Sequence, residues 1–178
     1  MRTYKEVLED GIQLLETAAI EEARLDAWLL LEYTADITRA WYYAHMDDGL
    51  DAKTEERYRT LCTKRAQHIP LQHITGRAYF MGYEFCVDER VLVPRQDTEV
   101  LVETALSMMK PGCRLLDMCT GSGCIVLSLA KLGTVTWGIG ADISEEALKV
   151  AERNRENLGL SQVKLVHSDL FGSVEGVF

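Results

Sequence analysis

From about residue 114 onward the chain alternates β-rich runs with runs of helical length, and no other feature of the sequence restricts the fold as tightly. Arg114 to Met118, Val135 to Ala141 and Val163 to His167 read as strands, with Cys124 to Lys131 and Glu145 to Leu158 as helices between them. Strands separated by helices of this length are joined by crossovers rather than hairpins, which sets them parallel in one sheet. The first half lacks that rhythm. Tyr4 to Ala19 carries Val7, Leu8, Ile12, Leu14, Leu15 and Ala18 near the helical period. Ala23 to Tyr33 is apolar almost all round, as the central helix of a small bundle would be. Thr38 to Ala44 and Thr54 to His68 read as two further helices, separated by the turn-like loop His45 to Leu50. The aromatic run Trp41, Tyr42 and Tyr43 is expected to pack inside.

After Pro70 the pattern changes. Ala78 to Met81 and Tyr83 to Val87 flank Gly82 and are rich in β-formers, as in a short hairpin. Val91 to Val93 is expected to add a strand before Pro94, and Asp97 to Met109 a helix with Asp97 as its N-cap. The chain thus divides into a helical domain over 1–70, a hairpin connector over 71–94 and an α/β domain from 95 to 178.

Composition narrows the function. The net charge of −9 is spread evenly: residues 1–76 hold fourteen acids and nine bases, the remainder fourteen and ten. No basic stripe is visible for neutralising phosphates, which argues against direct nucleic-acid binding. No apolar run approaches the roughly 20 residues of a membrane span. The opening Met1-Arg2-Thr3-Tyr4-Lys5-Glu6 has no signal-peptide core behind it, so a cytoplasmic location is expected. The five cysteines include no C-x-x-C pair and read as reduced thiols, with no metal site.

The segment that carries chemistry is Leu115-Leu116-Asp117-Met118-Cys119-Thr120-Gly121-Ser122-Gly123-Cys124, which leaves a strand and opens a helix. Its glycines let backbone N–H groups approach a ligand at a helix N-terminus, where an anion is favoured. A dinucleotide fingerprint begun at Gly121 would need Gly or Ala at 126, and the chain has Val126. A carboxylate-bearing cofactor such as S-adenosylmethionine needs no such residue. Asp142 ends the next strand some 20 residues on, where a carboxylate reaches ribose hydroxyls in this topology. Ser144 is the better N-cap for the helix that follows, which leaves Asp142 free. Asp169 and Leu170 end the third strand, with Asp169 able to accept from an adenine amino group while Leu170 packs on the ring.

Along essentially its whole length the sequence resembles the HemK or PrmC family of release factor glutamine methyltransferases. The resemblance rests on Arg65-Ala66-Gln67-His68-Ile69-Pro70-Leu71-Gln72-His73-Ile74-Thr75-Gly76, on Phe80-Met81-Gly82-Tyr83-Glu84-Phe85 and on Val91-Leu92-Val93-Pro94-Arg95-Gln96-Asp97-Thr98-Glu99. It continues through Asp117 to Gly123 and Ala141-Asp142-Ile143-Ser144. It implies a helical N-terminal domain that docks a protein substrate and the first half of a Rossmann-like domain that binds S-adenosylmethionine. The implied activity is N5-methylation of the glutamine in the Gly-Gly-Gln motif of class 1 peptide chain release factors, with a release factor as partner and neither nucleic acid nor membrane.

By that resemblance Cys119, Thr120, Gly121, Ser122 and Gly123 wrap the methionine end of the cofactor. Asp142 holds the ribose, and Asp169 with Leu170 contacts the adenine. Arg95, Thr98 and Glu99 lie at the site entrance, though Arg95 and Glu99 could simply pair at a helix start. The family's Asn-Pro-Pro-Tyr, which orients the substrate amide, does not occur in this sequence. No catalytic residue is therefore assigned, and Gly176-Val177-Phe178 reads as the start of a fourth strand in a domain incomplete at its C-terminus. None of His45, His68, His73 and His167 sits in a motif that would make it a base. A non-catalytic binding fragment and an NAD-dependent oxidoreductase are the alternatives.

Overall fold

The computed structural model describes residues 1–176 and 178, which form two compact units, Met1–Thr75 and Gly76–Phe178. The first is all helical: α1 (Tyr4–Thr17), α2 (Ala23–Ala35), α3 (Arg39–His45), α4 (Ala52–Ala66) and α5 (Leu71–Thr75). Thr3 and Glu6 close a reciprocal capping box at the start of α1, and Asp51 caps α4 through the N–H groups of Lys53 and Thr54. α2 packs against both α1 and α4. Its Leu30 and Leu31 meet Val7, Tyr58 and Cys62 in the main core of this unit. The Asp26 carboxylate lies largely inside because Arg65 reaches it at 2.7 Å. The aromatic run behaves differently from the sequence expectation: only Tyr42 is buried, while Trp41 and Tyr43 face outward. Seven residues of α3 offer one inward position, and Tyr42 takes it.

The second unit opens with an antiparallel hairpin, β1 (Arg77–Phe80) and β2 (Tyr83–Cys86), joined by Met81 and Gly82. Both linking residues have positive φ, as the tightest hairpin turns require. Residues 91 to 93 form no strand. Val91 and Val93 instead pack with Ala78, Val87, Ala147 and Val150, so their alternation reflects burial rather than ladder pairing. In α6 (Gln96–Met108) the N-cap position belongs to Arg95, without a side-chain cap bond. Asp97 lies inside the first turn, where its charge still complements the helix dipole.

Then follow β3 (Cys113–Met118), α7 (Cys124–Leu132), β4 (Val135–Asp142), α8 (Glu145–Leu158) and β5 (Val163–His167). The three strands are parallel in the order β3-β4-β5, so β4 is central and each crossover carries one helix. This is the α/β arrangement expected from the alternation. α7 packs against both α6 and α8, and its apolar face, with Val126 and Leu127, joins Phe80, Phe85 and Val102 in the core. The anticipated fourth strand falls partly on Val177, which lies outside the described residues.

Candidate functional site

The carboxyl ends of β3, β4 and β5 lie side by side, and each continues into a segment that carries polar groups. β3 leaves the sheet through Cys119 to Gly123. Cys119, Gly121 and Gly123 all have positive φ, at 60°, 55° and 78°. Thr120 anchors the turn: its N–H donates to the Ala141 carbonyl at 3.0 Å, and its carbonyl accepts from Gly123 at 2.8 Å. It sits against Gly140 of β4, where a Cβ would meet the Thr120 Oγ1 at 3.0 Å, so the turn fits because β4 has no side chain there. At Gly121 the added Cβ would meet nothing within 4 Å, which leaves an open cradle on that side.

Asn154, which lies in no recognisable motif, holds the other side. Asn154 of α8 is 1% exposed, and its amide donates to the Ser122 carbonyl at 2.9 Å and the Cys86 carbonyl at 3.0 Å. Its carbonyl oxygen accepts from the Cys86 N–H at 2.6 Å. One side chain thereby ties the glycine turn, α8 and the end of the hairpin together. The signal was present in the sequence: Asn154 occupies the core-facing stripe of α8 with Ala147, Val150 and Ala151. A polar residue on such a stripe is retained when it is fully hydrogen-bonded.

Two carboxylates face the turn, and they revise its electrostatics. Asp142 Oδ2 accepts from the Gly121 N–H at 2.8 Å, and its Oδ1 accepts from the Ser144 N–H at 2.9 Å. Ser144 caps α8 through Ala147, as expected, but Asp142 is not left free by this; it braces the glycine turn. Asp117 accepts from the Thr120 hydroxyl at 2.7 Å. Burial above all, and the neighbouring Asp142 charge, push the Asp117 carboxyl above its ordinary range, against the Thr120 hydroxyl and the Val126 amide that favour its charged form. The expectation that the glycine N–H groups await a ligand anion is therefore corrected: Gly121 donates to Asp142 and Gly123 to the Thr120 carbonyl. The neighbouring carboxylates give the turn negative charge.

At the end of β5 the buried Ser168 N–H donates to the Asp142 carbonyl at 3.0 Å, and its hydroxyl bonds the Leu170 carbonyl at 2.7 Å. Asp169 is exposed, as are Leu170, Phe171 and Ile143, so an acid and three large apolar side chains flank this edge. His167 points away from base chemistry, with Nε2 bound to the Ile143 carbonyl at 2.9 Å. The entrance trio is divided. Glu99 accepts from the Met81 N–H at 2.6 Å and so ties α6 to the hairpin turn, and among the described residues it forms no ion pair with Arg95. Arg95 is exposed, and Thr98 sits in the first turn of α6. Among the described residues no cluster of His, Cys, Asp or Glu could hold a metal ion, and no helix is long and apolar enough to cross a membrane.

S-adenosylmethionine fits these groups. An open cradle stands at Gly121, the carboxylates suit its ammonium and sulfonium charges, and Asp142 and Asp169 offer acceptors along the edge.

Comparison with known proteins gives the family. Residues 6–76 match the PrmC N-terminal domain, and residues 109–175 match a methyltransferase domain. Over 159 residues the chain is 38% identical to the release factor glutamine methyltransferase of Shewanella oneidensis, an alignment that covers 88% of this chain and 55% of that protein. It is 37% identical over 172 residues to the protein of the same name from Chlorobaculum tepidum, covering 92% and 58%. The chain thus spans little more than half the length of these relatives. A solved SAM-dependent methyltransferase from Geobacter sulfurreducens, in complex with S-adenosylhomocysteine, aligns at 31% identity and a TM-score of 0.35, over 38% of this chain and 28% of that one.

Proposed function

We propose that this chain, which belongs to the HemK/PrmC family of release factor glutamine methyltransferases, binds S-adenosylmethionine at the carboxyl edge of its sheet and serves methylation of a protein glutamine. The substrate is the glutamine of the Gly-Gly-Gln motif in a class 1 peptide chain release factor, in the cytoplasm and without nucleic acid. The observation that carries the reading is the pair Asp117 and Asp142 against the glycine turn. Two carboxylates attract a ligand with cationic groups, and the Gly121 N–H that a pyrophosphate would use already donates to Asp142. The oxidoreductase alternative is thereby disfavoured at the turn as well as by Val126.

When bound, the cofactor supplies an electrophilic methyl group on a sulfonium. Cys119 to Gly123 hold its methionine end, with Asp117 and Asp142 as acceptors for the ammonium group and the ribose. Asp169 and Leu170 take the adenine. Arg95, Thr98 and Glu99 frame the entrance, Glu99 by fixing α6 against the hairpin turn. The helical domain over 1–70 docks the protein substrate, the hairpin region over 71–94 connects, and residues from 95 onward form the cofactor domain.

An amide nitrogen is a weak nucleophile because its lone pair is delocalised into the carbonyl. Transfer therefore depends on orienting that nitrogen in line with the methyl group. The Asn-Pro-Pro-Tyr that performs this orientation in the family does not occur in this sequence. The 178-residue chain alone is accordingly expected to bind cofactor without appreciable turnover, and a version extended to include the tetrapeptide to be active. Calorimetry with S-adenosylhomocysteine and with NAD, alongside labelled methyl transfer to a release factor by both versions, tests this. Tighter binding of NAD would reject the cofactor assignment, and equal transfer rates by the two versions would reject the mechanistic one.

A further inference from the structure

The hairpin lies far from the glycine turn in sequence, yet one side chain serves both. Cys86 ends β2, and both of its main-chain groups bond to Asn154 of α8, as they would to a neighbouring strand. Asn157, three residues further along α8, adds an amide contact to the Cys86 sulfur at 3.5 Å. At the other end of the hairpin the Met81 N–H donates to Glu99. The hairpin is therefore held at its turn by α6 and at its end by α8.

The neighbours of Asn154 set the orientation of its amide. The Ser122 and Cys86 carbonyls take its two hydrogens, and the Cys86 N–H takes its oxygen. Aspartate has the same shape but no hydrogens to donate. Alanine has neither group, and the three main-chain atoms would lose their partner inside the fold.

The consequence falls on the peptide between Ser122 and Gly123. Asn154 holds its carbonyl, and the Thr120 carbonyl holds its N–H at 2.8 Å. Gly121 and Gly123 stand on either side of Ser122, and glycine crosses between backbone regions more readily than any other residue. Without Asn154 this peptide is anchored at one end only, and the turn populates other conformations. A ligand then binds only the fraction of molecules whose turn is competent, and its apparent affinity falls by that fraction.

We propose that Asn154 is a positioning residue for the cofactor, which holds the Ser122 carbonyl against the end of β2 and so keeps the glycine turn in its ligand-ready form. It acts through Ser122 rather than by contact, and it makes the hairpin part of the cofactor site. This rests on the reading that S-adenosylmethionine binds at the turn, and adds to it a residue that no motif marks.

The test measures S-adenosylhomocysteine binding to the full chain by calorimetry, well below the Tm of each variant. Asn154→Ala and Asn154→Asp are compared with Val163→Ala. Val163 is buried and begins β5, at the opposite end of that strand from the site, so its truncation weakens the core without touching the turn. Both Asn154 variants should lower affinity by about three- to tenfold, the effect of one net hydrogen bond. Val163→Ala should bind like the native chain despite its own fall in Tm. In the native chain, ligand should slow hydrogen exchange of the Cys86 N–H by a larger factor than that of the Met81 N–H at the hairpin's other end.

Unchanged affinity in either Asn154 variant, an equal loss in Val163→Ala, or equal slowing at Cys86 and Met81 would overturn the proposal. Absence of binding by the native chain would reject the cofactor reading and this inference with it. Native binding alongside unchanged Asn154 variants would reject this inference alone.

Discussion

Replacing Gly121 and Gly123 in turn by alanine separates the ligand side of the turn from its packed side. Both residues have positive φ, so alanine at either position carries a backbone strain of about 1 kcal/mol. The surroundings then diverge. A Cβ at Gly123 would lie 2.9 Å from Leu127 Cδ1 and 3.3 Å from Ala151 Cβ, inside a core where Leu127 and Ala151 are fully buried. Overpacking of that kind adds about 1–3 kcal/mol, so Gly123→Ala should lose about 2–4 kcal/mol of stability in all. At Gly121 the Cβ meets nothing, so Gly121→Ala should lose only the strain.

For a chain of this length each kcal/mol lowers Tm by roughly 2–4 °C, so thermal unfolding distinguishes the two variants. Ligand affinity should run the other way relative to stability. The methyl group at 121 fills the cradle beside the Asp142 carboxylate, and S-adenosylhomocysteine affinity measured by calorimetry should fall by roughly tenfold or more, the effect of about 1.4 kcal/mol. A Gly121→Ala variant that binds within twofold of the native chain would show that the ligand does not abut this face of the turn. Equal destabilisation by the two substitutions would refute the packing argument.

Asn154→Ala removes three hydrogen bonds from a site closed to water and should lose about 3–4 kcal/mol in urea denaturation, whereas a loss under 1 kcal/mol would mean the turn does not depend on it. Asp117 binds its proton more tightly in the folded chain than in the unfolded one, because burial and then Asp142 raise its pKa over the opposing donors. Its contribution to stability is therefore present below the ordinary carboxylate value and lost as pH rises through the folded value. Asp117→Asn should accordingly raise Tm at pH 7, with the gain disappearing below about pH 4, and a gain that persists in acid would contradict this. Cys119 is the exposed thiol among the five, and burial pushes Cys62 up to about 11. Alkylation followed by mass spectrometry should modify Cys119 first and be slowed by S-adenosylhomocysteine; an unaffected rate would place the ligand away from the turn.

Much of the fold could be read from period alone, since helices and parallel strands carry their packing in local hydrophobic spacing. α8 and β5 fall on the expected residues, because Ser144 and Gly159 punctuate the helix and β5 is a short β-rich run. Residues 91–93 misled for the opposite reason: alternation reports burial on one side, and here the burial is against Ala147 and Val150 rather than beside a strand. Trp41 and Tyr43 misled because an aromatic residue carries no mark that separates a core position from an ordered surface one. At the site, the turn and Asp142 were legible as a motif. The bracing hydrogen bonds were not, since Asp142 to Gly121 spans 21 residues and Asn154 to Cys86 spans 68. Sequence spacing shows which strand end a residue occupies, and only the folded register shows which N–H faces it.

That register explains why the β4 end carries a carboxylate rather than an amide. Each Asp142 oxygen accepts one backbone N–H, Gly121 on one side and Ser144 on the other. An ionised carboxylate has about four lone-pair positions, so one acceptor site remains on each oxygen after both braces are made. A vicinal diol offers two O–H donors and matches those two sites without releasing either brace. An asparagine at this position would have a single acceptor oxygen and would turn its amide hydrogens toward one of the two N–H groups. It would lose a brace to keep a ligand contact, or lose the contact to keep the brace. A glutamate would keep the acceptors but extend them by one methylene, beyond the 2.8 and 2.9 Å contacts that fix the turn to the strand end. Bracing and the ligand contact proposed for Asp142 therefore depend on one chemical group at one reach. On the proposed reading, Asp142 stiffens the turn and keeps two acceptor sites for a ribose.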